Sequence, residues 1–148
     1  MNDQAGAASP EAFIVAALLE QGRPVHFASL AFGLGIMILA SAGANSWLGA
    51  SVYMAATLVL PVEVYLAIRV GFDARLLRAL GDGGMDLGTL DASLGCLGFL
   101  PPAKAARALP PRLTGALRLF RMQAICAILL GACLIAAMSL KLFGSGAA

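Results

Sequence analysis

Polar residues are so sparse along this chain that the apolar runs between them set its organisation. From Val25 to Ala44, twenty residues pass without a charge beyond a possible one on His26 at the edge. At about 1.5 Å of rise per residue, such a helix measures roughly 30 Å, the thickness of a bilayer's hydrocarbon core. A second run extends from Trp47 to about Ile68 and is interrupted only by Pro61 and Glu63. A third extends from Met122 to Leu140, and the stem of Lys141 can then carry its amine outward to the headgroups. The pattern predicts three spanning helices, at about 25–44, 47–69 and 112–141.

Between and around these runs the period changes. After Arg69, the stretch "VGFDARLLRALG" sets Phe72, Leu76, Leu77 and Leu80 against Asp73, Arg75 and Arg78. That spacing predicts a helix leaving the membrane with one apolar face kept, ended at Gly81 and the "GDGG" run. Residues 82–111 form the only substantial loop, within a cytoplasmic segment, 70–111, that includes the end of this helix. Within it, "DLGTLDASLGCLGFLPP" offers a helix start at Asp86 or Thr89 and a double-proline stop, and "AKAARAL" reads as a short helical turn before Pro110 and Pro111. Residues 1–10 are small and polar and read as disordered. Residues 11–23 read as a short helix lying in the membrane interface or against the bundle, since their apolar core is too short to span and Gly22-Arg23-Pro24 stops it. Residues 24–148 remain as a three-helix membrane domain.

Composition sharpens the picture. Hydrophobic residues make up 60% of the 148 and charged ones 12%, with a mean hydropathy of +0.88. A soluble domain carries roughly 25% charge, so an aqueous fold is excluded. The absence of short alternating segments excludes a β-barrel. The N-terminus lacks the basic n-region of a cleavable signal. Of ten Lys and Arg residues, eight (Arg69, Arg75, Arg78, Lys104, Arg107, Arg112, Arg118, Arg121) flank or occupy the connector between spans two and three. The positive-inside rule assigns that connector to the cytoplasm. With three spans, the N-terminus is then inside and the C-terminus outside. The fold class expected is an all-α integral membrane protein; abundant Ala, Leu, Gly and Arg fit a GC-rich bacterial genome, and with it a bacterial inner membrane.

One residue stands out chemically. Glu63 lies six residues inside the boundary marked by Arg69, two residues after a proline. A carboxylate at a helix centre costs about 2.5–3.5 kcal/mol on insertion scales, so Glu63 is not expected to face lipid. Pro61 cannot donate to the carbonyl of Thr57 and is expected to kink the helix. Three readings of Glu63 stay open. It can pair with Arg121 or Gln123 on the antiparallel third span and lock the docking of the two helices. It can bond a partner subunit. Or it can serve as a protonatable ion site. Arg69 is not its own-helix partner, because six residues rotate about 240°.

Small residues recur at four-residue spacing: Ser29 with Gly33, Ala31 with Gly35 and Ala40 with Ala44 in span one, Ala127 with Gly131 and Ala132 with Ala136 in span three. Such spacing lets helices approach closely in lipid, and these faces are expected to pack spans one and three with each other or with another subunit. His26, the only histidine, reads as an interfacial edge residue; haem ligation with Met122 as second axial group has little to support it. Cys96, Cys126 and Cys133 form no C-x-x-C pair and read as free thiols, with neither a zinc site nor a disulfide expected. Asp82, Asp86 and Asp91 lack calcium-loop spacing. No nucleophile–base–orienter set and no phosphate-cradling loop is present, so no catalytic residue, metal or cofactor is expected. The basic residues lack aromatic interleaving, which argues against nucleic acid, although they could meet anionic lipid headgroups. The reading that follows is a non-catalytic accessory or scaffold subunit of a larger inner-membrane complex, partnered by other membrane subunits or by itself. The alternative is a homo-oligomeric channel or ion-translocating module using Glu63.

Overall fold

The computed structural model describes residues 9–43, 47–83, 87–96, 98 and 109–144. Every element among them is helical: α1 (Pro10–Glu20), α2 (Gly22–Ser41), α3 (Trp47–Gly81), α4 (Leu87–Cys96) and α5 (Leu109–Gly144). Three stretches are long and apolar enough to cross a membrane: Pro10–Ser41, Trp47–Gly81 and Leu109–Phe143. The first of these joins α1 to α2 through Gln21 alone. The 35 residues of α3 and the 36 of α5 correspond to roughly 52 and 54 Å of helix. A hydrocarbon core of about 30 Å cannot contain either helix whole.

Two sequence expectations differ in detail. Pro110 and Pro111 do not precede the third long helix but lie within its first turn, where a missing backbone N–H leaves no bond unmade. The helix expected after Arg69 is continuous with the second long helix as α3, which contains Pro61 and ends at Gly81 as expected. The first long apolar helix ends at Ser41, three residues before Ala44, where Gly43 takes a φ of +82° that favours glycine. The expected disorder of residues 1–8, the Asp86 helix start, the proline stop at 101 and 102, the "AKAARAL" turn through residue 108, and Ala44 lie outside the described residues.

The helices sort into two compact units, one from Met1–Gln21 with Val70–Leu119, the other from Gly22–Arg69 with Phe120–Ala148. In the first, Ser9 caps α1 by accepting the N–H of Ala12 at 3.4 Å, and Pro10 occupies the first helical position. Ala12, Ala16 and Leu19 are buried on one side of α1. Val70, Ala74, Leu77 and Leu80 are buried at helical spacing along α3. Arg78 is held twice by α1: it pairs with Glu20 at 2.9 Å and lies 5.9 Å from the centre of the Phe13 ring. Helix α4 buries Leu90, and its Asp91 carboxylate accepts from Arg112 at 2.6 and 2.8 Å, tying it to the start of α5.

The second unit is built from α2, the first part of α3 and the second part of α5. Ile36, Ala56 and Leu130 form its buried centre, surrounded by Phe32, Tyr53, Val59, Leu60, Cys133 and Leu134. Glycines admit the large side chains. A Cβ at Gly33 would stand 3.1 Å from Leu60, one at Gly35 3.1 Å from Leu134, and one at Gly131 3.3 Å from Phe32. Because lipid tails are as apolar as Leu, this close fit rather than burial from water holds the helices together. Ser29 and Ala127 are buried, whereas Ala31 and Ala132 face outward.

At the far end, Tyr53 donates to the carbonyl of Leu39 at 3.3 Å, and the Lys141 amine donates to the carbonyls of Ala42 and Gly43. A cation here meets the carbonyl-rich end of α2. Lys141→Met is expected to remove about 0.3–1 kcal/mol, measurable as a small fall in the thermal midpoint in detergent.

Candidate functional site

Three polar side chains meet inside the second unit, one from each of its helices. On α2 the inward face runs through Ser29, Gly33 and Ile36, and His26 stands one turn before it. On α3 the inward face includes Ala56 and Leu66, and Glu63 occupies the position one turn before Leu66. On α5, Gln123 opens a buried row with Ala127, Leu130 and Ala137. Helical periodicity alone thus turns all three polar residues inward. Glu63 and Gln123 are both 0% exposed.

The Glu63 carboxylate is satisfied from two sides. His26 Nδ1 lies 3.0 Å from Oε2 and 3.3 Å from Oε1, so a single ring N–H spans both oxygens. Gln123 Nε2 donates to the Gly22 carbonyl at 3.0 Å and, less closely, to Glu63 Oε1 at 3.4 Å. Exchanging the amide N and O of Gln123 would face one acceptor with two others, which fixes the orientation given. Gln123 Oε1 is then buried without a hydrogen-bond partner among the described residues. Ser29, also buried, is satisfied locally by donating to the carbonyl of Val25 at 2.9 Å.

Of the two partners expected for Glu63, Gln123 touches it and Arg121 does not. Two residues turn a helix by about 200°, and with Gln123 facing inward the Arg121 side chain is exposed. Arg121→Ala is therefore expected to change stability by no more than about 0.5 kcal/mol, as measured by reversible unfolding in mixed micelles. A loss comparable to that of a buried-site variant would contradict this assignment.

The residue that sequence reasoning missed is His26. Read alone, an imidazole at the edge of a span is unremarkable. A usable signal lay in depth: His26 is three residues past Arg23, and Glu63 is six before Arg69. Two antiparallel helices whose same-side ends carry these arginines bring His26 and Glu63 to neighbouring levels.

Chemically, the arrangement is a buried carboxylate held by an imidazole and an amide. It can hold and release a proton and can lock three helices in one register. Among the described residues no group of three His, Cys, Asp or Glu is placed to hold a metal ion. Comparisons with protein families, with curated proteins and with solved structures find no match to this chain.

Proposed function

We propose that this chain is a non-catalytic accessory or scaffold subunit of a larger bacterial inner-membrane complex, with its N-terminus in the cytoplasm and its C-terminus outside. The orientation rests on the eight Lys and Arg residues between Arg69 and Arg121. Under it, α1, the end of α3, α4 and the start of α5 belong to the cytoplasmic side, with α1 at the interface.

The observation that carries the docking role is α1. Its inner side is taken up by Ala12, Ala16 and Leu19, yet Phe13, Ile14 and Leu18 are 45%, 67% and 46% exposed. A helix apolar on both sides needs a second apolar surface. A neighbouring membrane subunit supplies one without leaving the charged residues beside it in lipid. A pore between copies fits less well, because Glu63 is enclosed by helices of its own chain.

Chemical crosslinking of the full chain in native membranes, followed by mass spectrometry, is expected to recover the same membrane protein repeatedly through α1. Extraction in mild detergent as a lone, monodisperse monomer would overturn the docking role. Orientation is checked separately at Cys96, which is exposed on α4. A membrane-impermeant thiol reagent is expected to label it in inverted vesicles and not in intact spheroplasts.

A further inference from the structure

We infer that His26 and Glu63 form a proton-exchange site within the membrane domain, with the imidazole as the route by which protons reach the buried carboxylate. The site rests on contacts within the second unit and does not depend on the docking role.

The carboxylate has no exposed surface of its own, and the His26 side chain is 26% exposed. The imidazole therefore joins interior to exterior. Its Nδ1 is on Glu63, and among the described residues no hydrogen bond occupies Nε2. Three residues, about 4.5 Å along the helix, separate His26 from Arg23, whose exposed guanidinium belongs at the headgroup boundary. The free ring nitrogen is thus within reach of interfacial water. The same cluster holds a vacant acceptor: Gln123 turns its Nε2 to Glu63, and its Oε1 is buried without a hydrogen-bond partner among the described residues.

The step balances without any other reactant. Nε2 of the neutral ring takes a proton from hydronium and leaves water. The resulting imidazolium passes its Nδ1 proton to Glu63 Oε2. The ring is left neutral with its proton on Nε2, and the carboxylate has become a carboxylic acid. The groups facing the carboxylate are His26 from α2, and from α5 Gln123 together with Cys126, the other titratable group within electrostatic range. Arg23, Arg69 and Arg121 are exposed.

Because His26 is the only histidine and the chain has three glutamates, Glu11, Glu20 and Glu63, few signals need assignment. The experiment is nitrogen-15 and carbon-13 NMR of the full chain in lipid nanodiscs, labelled at His and Glu and titrated from about pH 4 to about pH 9. The carboxyl signal lost in Glu63→Gln is Glu63. Its signal and those of the two His26 ring nitrogens are expected to change together, as the contact between them requires. His26→Gln, which keeps a donor to Glu63 but cannot relay, is expected to slow proton exchange at the carboxyl at least tenfold. Should the Glu63 carboxyl not respond to pH in the wild-type chain, the site is purely structural and the inference fails. An unchanged exchange rate in folded His26→Gln would remove the relay. If that variant does not fold, a wild-type His26 ring that never changes its protonated nitrogen would do the same.

Discussion

His26→Ala is expected to destabilise the membrane unit by about 1–3 kcal/mol, the loss typical of leaving a buried acceptor without its hydrogen-bond donor. Among the described residues, Glu63 would keep only the 3.4 Å contact from Gln123. Glu63→Gln should be milder, because an amide fills the same volume and leaves no charge behind. The two variants are therefore ordered, and they are coupled. Adding Glu63→Gln to His26→Ala is expected to restore much of the loss, since the stranded charge is gone. Equilibrium unfolding of the four proteins in mixed micelles measures the cycle. Strict additivity of the two single effects would mean that the pair is not the energetic unit described here.

Gly81→Ala is expected to cost about 1–3 kcal/mol, the usual range for forcing a methyl into a filled site. A Cβ at Gly81 would stand 2.9 Å from the backbone nitrogen of Phe13 and 3.0 Å from its Cα and Cβ. None of these atoms can swing aside, so α1 must shift as a whole or the end of α3 must give. The glycine therefore serves close approach, unlike Gly43, which serves a turn. Trimming the neighbour should not help: Phe13→Ala in the Gly81→Ala background removes the ring but leaves the obstructing backbone. Rescue by Phe13→Ala, measured by thermal unfolding of the full chain, would show that the ring rather than the helix backbone makes the close contact.

How far the site was legible follows from what its residues offer to a sequence reading. Glu63 announced itself because a carboxylate in an apolar run is costly wherever it faces. Gln123 was accessible from its depth on an antiparallel helix. Arg121 was the more attractive partner by charge, and it failed because charge says nothing of which side of a helix a residue occupies. His26 failed to stand out for the opposite reason: its position is ordinary, and only the carboxylate opposite gives it meaning. The small-residue faces behaved similarly. Gly33, Gly35 and Gly131 receive Leu60, Leu134 and Phe32 within the chain, while Ala31, matched to the same pattern, points outward.

By itself, the sequence determined that this chain is all-helical, that three helices are long and apolar enough to span a bilayer, and roughly where the polypeptide between them lies. Those properties depend on local composition and period, since backbone groups in lipid must be satisfied within each segment. The tertiary structure decided which polar groups meet and that glycines serve as sockets for neighbouring side chains. These depend on the rotation and register of helices against one another. Many residues contribute small, opposing contact energies to that choice, and no single segment carries their sum.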